Sequence, residues 1–143
     1  MNDFRFTVPG KPVPWARPRP RQGRFKKMIT PTKQRDYMAL VAACALRAGA
    51  PSPRPGAVRL VLDFYFCPPV SWPKWKKARA LSGEFRHVST PDASNLVKIV
   101  EDALNGIAWD DDARIVELRA TKHFGDVART EVVASSLSHF SNR

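Results

Sequence analysis

The stretch Thr90-Pro91-Asp92-Ala93-Ser94-Asn95-Leu96-Val97-Lys98-Ile99-Val100-Glu101-Asp102-Ala103-Leu104-Asn105-Gly106 decides how the chain is read. Leu96, Ile99, Val100 and Ala103 recur at i, i+3, i+4 and i+7, the spacing of one buried helix face. Asp92 or Ser94 can cap the start, and Gly106 can close the end. At ~100° per residue, Asn95, Lys98 and Asp102 fall on one polar stripe beside the apolar face. A solvated amphipathic helix scatters its polar residues over the far side. This one gathers an amide, a cation and an acid at the border of the core. Lys98 and Asp102 also have the spacing of an i,i+4 ion pair, a use compatible with any chemical one.

Directly after the helix comes Ile107-Ala108-Trp109-Asp110-Asp111-Asp112-Ala113-Arg114-Ile115. Three consecutive aspartates repel one another at neutral pH, so they stay solvated or collect around a cation. Ile115, Glu117, Arg119 and Thr121 alternate with Val116, Leu118 and Ala120, which predicts a strand that anchors the acidic turn. Hard carboxylate oxygens of this kind suit Mg²⁺ or Mn²⁺ and not zinc.

Upstream, two more strands are legible. Val58, Leu60, Leu62, Phe64 and Phe66 take one face of a strand over residues 57–66, and Phe4, Phe6 and Val8 take one face of a strand over residues 4–8. Between them a helix is predicted, capped by Thr30 or Thr32, with Pro31 in its first turn and Gly49 at its end. Tyr37, Leu40, Val41 and Cys44 form its buried face. Pro68-Pro69 ends the long strand. Residues 71–79 read as a short basic helix capped by Ser71, with at least one of Trp72 and Trp75 expected in the core. Residues 85–88 read as a short strand.

A chain of 143 residues is one domain's length, and 43% hydrophobic with 26% charged residues excludes wholesale disorder. The net charge of +11 favours a polyanionic partner, nucleic acid before an anionic membrane surface. The most basic stretch is residues 9–27, where Lys11, Arg17, Arg19, Arg21, Arg24, Lys26 and Lys27 are interleaved with prolines and Trp15. The prolines force an extended or turning backbone. The segment is either a solvated loop or a phosphate-binding strip with Trp15 placed to stack on a base or sugar. Cys44 and Cys67 sit among apolar residues, as buried thiols do, and no CxxC or Cys/His zinc pattern is present. No apolar run approaches the ~18–20 residues of a membrane span, and residues 1–5 lack the start of a secretory signal. A soluble, cytoplasmic protein with no membrane partner is expected. Cations hold a polyanion, so acids clustered among them need another purpose, which a metal bridging carboxylates and a phosphate supplies.

Pro91-Asp92-x-x-Asn95-Leu96-x-Lys98, then Asp102-Ala103-Leu104-Asn105-Gly106, then Asp111-Asp112-Ala113-x-Ile115 resembles the signature of the RusA-like Holliday-junction resolvases. Gly10-x-Pro12-x-Pro14 followed by Arg17-Pro18-Arg19 is similar to that family's opening. The resemblance implies a small single α+β domain over residues 1–143, with a mixed sheet packed by two main helices. It further implies a homodimer that cuts four-way DNA junctions with Mg²⁺ or Mn²⁺, of a kind often encoded by phages or prophages. Asp92 matches the family's first essential aspartate, Lys98 its lysine and Asp112 its last aspartate, with Asp111 beside it. Ser94 stands where the family has a second aspartate; it is a weaker ligand that could hold a water or simply cap the helix.

These residues lead to a metal-dependent endonuclease acting on branched DNA. Asp92, Asp111 and Asp112 are the expected metal ligands, Lys98 the charge stabiliser, and Ser94, Asn95, Asp102 and Asp110 accessory groups. A protein that binds junctions without cutting them is the alternative, supported by Ser94. A general RNA-binding protein explains the charge but leaves the acid cluster without a purpose.

Overall fold

The computed structural model describes residues 3–16, 32–51, 53 and 55–137. Arg17, Arg19, Arg21, Arg24, Lys26 and Lys27, together with Thr30 and Pro31, lie outside the described residues. Seven elements follow in order: β1 (Asp3–Pro9), α1 (Thr32–Arg47), β2 (Val58–Phe66), α2 (Lys74–Leu81), α3 (Ala93–Leu104), β3 (Ile115–Phe124) and β4 (Arg129–Ser136). A short 3₁₀ turn, Asp112–Arg114, leads from α3 into β3. The strands form one sheet in the order β1-β4-β2-β3. β4 pairs antiparallel with both β1 and β2, while β2 and β3 are parallel. The sheet is therefore mixed and the domain is α+β, as the resemblance implies.

Strand alternation places the core. Phe4, Phe6 and Val8 of β1, Val58 to Phe66 at every second position of β2, and Val132 and Ala134 of β4 are buried on one face. α1 and α3 cover that face: Tyr37, Val41 and Ala45 from α1 meet Leu96, Ile99, Val100, Ala103 and Leu104 from α3 in a single cluster. Its apolar atoms are withdrawn from water at ~25 cal/mol per Å², the main force holding the two layers together. The Tyr37 hydroxyl and Thr130 Oγ1 share a 2.7 Å hydrogen bond inside it, so neither buried hydroxyl goes unpaired. The opposite face is laced with ion pairs, including Arg59–Glu117 and Arg129–Glu131, both at 2.8 Å.

Parallel strands need a long crossover. Here residues 67–114 supply it, carrying α2 and α3. Lys122 lies on the core side of β3, and its ammonium donates to the carbonyls of Ser89 (2.7 Å) and Pro91 (3.0 Å). The N-terminal end of α3 is thereby tied to the later half of β3. The Thr90–Pro91 peptide is cis.

Several expectations are corrected. The buried stripe of α1 is Gln34, Tyr37, Val41 and Ala45, recurring every three or four residues, and Leu40 lies at its margin and is exposed. Cys67 is exposed: it follows the last residue of β2, where alternation no longer decides burial, and both cysteines are free thiols. Pro73, not Ser71, precedes α2, and it makes no side-chain cap. Residues 85–88 form no strand; His87 instead turns its ring onto Phe66 and Phe124. In β3 the register shifts: Ile115 opposes Val58 while Glu117 opposes Arg59, so Val116 is passed over and stands exposed at the sheet edge with Leu118. Neither tryptophan joins the main core; Trp72 is half-buried against Phe124, and Trp75 is exposed.

Candidate active site

α3 forms as its sequence predicts, and its ends decide what its side chains can do. Asp92 occupies the N-cap position with extended backbone, yet its side chain makes no capping hydrogen bond. The carboxylate is exposed at the helix N-terminus, where the partial positive charge of the first turn favours anions. Ser94, one residue into the helix, is exposed and is not the cap. At the far end, Gly106 adopts φ 84°, a left-handed conformation in which a side chain is strained. Trp109, fully buried, then pins the turn to the core and leaves Asp110, Asp111 and Asp112 exposed beyond it.

The three aspartates do different things. Asp110 is taken up by Arg114 at 2.8 Å. Asp111 caps the 3₁₀ turn by accepting from the Ala113 amide at 3.4 Å. Asp112 projects its charge onto Glu101 of α3. The Glu101 carboxyl is pushed above its usual range by partial burial first, then by the charges of Asp112 and Asp102, with Lys98 opposing. Asp112, Glu101 and Asp102 thus share one neighbourhood at the C-terminal half of α3. Lys98 stands within it, its ammonium 3.6 Å from Asp102.

Lys98 also joins this neighbourhood to the basic N-terminal segment. Its ammonium lies 5.0 Å over the Trp15 ring. Trp15 is held by its amide donating to the Asn95 carbonyl at 2.9 Å, and the next amide, Ala16, donates to the buried Gln34 side chain at 3.0 Å. Trp15 and Val13 pack against the core. The chain that enters residues 17–27 is therefore fastened across α1 and α3, while Lys11 is exposed ahead of it.

The structure brings together Trp15, Asn95, Lys98 and Asp102, and brings the charge of Asp112 to bear on Glu101. Asp92 caps the start of the same helix, three residues before Asn95, a rise of about 4.5 Å. Among the described residues no three of His, Cys, Asp or Glu stand close enough to hold a metal ion between them. The donor chemistry nevertheless fits a hard cation. All the acids are oxygen donors, Asp92 is uncommitted as a cap, and Glu101 is raised first by burial and then by the charges of Asp112 and Asp102. Mg²⁺ is commonly held by only one or two carboxylates, with water and substrate phosphate completing its shell.

Two residues were not singled out from the sequence. Glu101 sits beside Asp102 and one turn beyond Lys98, a position that already puts it on the border of the core. Lys122 stands out as a cation at an alternate position of β3 shared with Leu118 and Ala120.

The family model for endodeoxyribonuclease RusA matches residues 9–134. The chain therefore belongs to the endodeoxyribonuclease RusA family, a family of nucleases that cut within DNA strands. Among curated proteins it is similar to the uncharacterized protein YqaN of Bacillus subtilis (strain 168), 34% identical over 142 residues that span 96% of this chain and 99% of that protein.

Proposed function

We propose that this protein is a divalent-metal-dependent endonuclease that hydrolyses phosphodiester bonds at four-way or other branched DNA junctions, in recombination or repair. The observation that carries this is the pairing of Lys98 with Asp102 next to Glu101, whose carboxyl feels the charge of Asp112, in a chain of net charge +11. A surface that only bound DNA would gain nothing from carboxylates there, since each repels phosphate.

Asp92, Asp111 and Asp112 are the residues that would hold Mg²⁺, with Mn²⁺ able to substitute. When bound, such an ion supplies Lewis-acid polarisation of the scissile phosphate and a more acidic attacking water. Lys98 offers its ammonium to charge that builds on the phosphate oxygens, and Asp102 and the Trp15 ring hold that ammonium in place. Lys122 keeps the Asp92 loop against the sheet by its two carbonyl contacts. Lys11 and the arginines and lysines of residues 17–27 bind the flanking phosphates and fix the strand's register. A junction offers two symmetric strands to cut, which a two-fold homodimer would meet with two copies of the site. No helix among the described residues is long and apolar enough to cross a membrane, and DNA as substrate accords with a cytoplasmic, prophage-type enzyme.

The test is cleavage of a synthetic four-way junction beside a linear duplex of equal length, with Mg²⁺, Mn²⁺ or EDTA. Metal-dependent nicking confined to the junction is the expected result. Tight junction binding with no nicking in either metal would favour the non-cutting alternative, with Ser94 as its cause.

A further inference from the structure

Away from the acids, a cavity of about 390 Å³ opens between the end of α2 and the edge strand β3. Tyr65, Phe85, His87, His123 and Phe124 line it, with Arg86 and Lys122 as cations, and no Asp or Glu lines it. The aromatic walls are ordered against one another. His87 lies 5.0 Å from Phe124 between ring centroids, and Phe85 meets Trp75 edge-on at 6.5 Å. Burial and the nearby Lys122 lower the pKa of His87, so its imidazole serves as a neutral ring. α2, whose last residues Ala80 and Leu81 line the cavity, carries Lys74, Lys76, Lys77 and Arg79 among its eight residues, with Trp75 58% exposed. A flat aromatic ligand bearing negative charge is what such walls complement, and at this volume a single nucleotide is the fitting size.

The cavity is also within reach of the acids. Lys122 both lines it and holds the carbonyl of Pro91, the neighbour of Asp92. From His87 to Asp92 is five residues, at most about 17 Å of extended chain. That equals about five steps of a DNA strand at 3.4 Å.

We propose that this cavity receives one unpaired nucleotide of the DNA strand that continues to Asp92, with its base between the aromatic walls and its phosphate against Arg86. α2 takes the phosphates next in line. Base pairs at a branch point lose stacking support, so a base is extruded there at lower cost than from inside a linear duplex, and the pocket gives the enzyme a direct reading of branching. This inference rests on the DNA-cutting role proposed above.

Photo-cross-linking tests it without relying on cleavage. A four-way junction carrying 5-iodouracil at the branch point is irradiated with the full chain in EDTA, and cross-links are mapped by mass spectrometry. Cross-links on Tyr65, Phe85, His87 or Phe124 are expected, and they should fall sharply with Arg86→Glu, a surface change that leaves the core intact. Phe85→Ala should weaken junction binding roughly 5- to 160-fold, the range that one lost base–aromatic stack gives, and linear-duplex binding much less. Cross-links mapping only elsewhere, or equal losses for junction and duplex, would overturn the proposal. So would relief of the cross-link by micromolar free deoxynucleotide, which would assign the pocket to a soluble ligand. Cleavage by the same preparation in Mg²⁺ is measured separately. A chain that cuts junctions but cross-links elsewhere refutes the pocket alone, whereas one that never cuts refutes the nuclease role.

Discussion

Lys98→Ala separates chemistry from packing. In the folded protein Lys98 makes one ion pair, 3.6 Å from Asp102, with the two side chains 47% and 35% exposed. An i,i+4 pair of that exposure is worth ~0.3–0.5 kcal/mol. The aliphatic stem and the Trp15 contact add a further ~0.5 kcal/mol at an exposed site. Alanine is the best helix former, which returns a little of the loss. The variant should therefore be destabilised by no more than about 1 kcal/mol, against a total of roughly 5–15 kcal/mol for a domain of ordinary stability. Its catalytic effect should be much larger. Removing one positioned group from a developing oxyanion costs ~10²–10³ in kcat, or about 3–4 kcal/mol. Urea unfolding gives the first number, and single-turnover junction cleavage at saturating enzyme and Mg²⁺ gives the second. Lys98→Arg should keep the fold and recover only part of the rate, because a guanidinium presents its charge differently. A rate loss under threefold, or one that vanishes when stability is restored by cooling, would refute the assignment and leave Lys98 as a surface ion pair.

Tyr37 gives a pH prediction with a definite sign. Burial pushes its phenol up to about 12 from the usual 10, against the pull of the Thr130 hydrogen bond. The unfolded chain thus ionises first, so Tyr37 contributes stability that is fully present below about pH 10 and is lost between 10 and 12, by at most ~2.7 kcal/mol. Tyr37→Phe should flatten that alkaline decline in urea titrations while costing ~1 kcal/mol at pH 7, where Thr130 loses its partner. An identical alkaline decline in the variant would disprove the attribution. Arg17→Ala with Arg19→Ala should lower the slope of log affinity against log salt by about 2, at ~0.9 per lost phosphate contact; an unaltered slope would make the N-terminal segment a bystander. Ser94→Asp should lower the Mg²⁺ concentration needed for half-maximal cleavage, with both proteins converging at high metal once the added repulsion is neutralised. Lower cleavage at every Mg²⁺ concentration would instead mark the serine as adapted to this site.

How much of this was legible in the sequence depended on whether one local pattern decided the outcome. α3 and β2 were legible because each buries a periodic face: Leu96 to Ala103 at helical spacing, Val58 to Phe66 at every second residue. Gly49 and Gly106 marked helix ends because both sit at φ 84°. Leu40 and Val116 misled because helix rotation and strand register are set by what packs against them: α1 turns Tyr37, Val41 and Ala45 to the core, and β3 shifts register opposite Val58. Residues 85–88 alternate like a strand, but the Ser89 and Pro91 carbonyls that follow are held by Lys122, and the His87 ring is held by Phe66 and Phe124. Within the site, Lys98 and Asp102 could be paired from spacing alone. The approach of Asp112 to Glu101 could not, because it depends on how Trp109 seats the acidic turn. Glu101 was therefore invisible until the turn was folded back on α3.

The central claim is that carboxylates make this basic protein a nuclease and not merely a DNA binder. Asp92→Asn tests it most directly, with cleavage and binding of the same four-way junction measured on one preparation in Mg²⁺. The account predicts that cleavage is lost while binding is unchanged or tighter, since the variant removes a ligand and a charge that repels phosphate. Cleavage at the wild-type rate in saturating Mg²⁺ would contradict it.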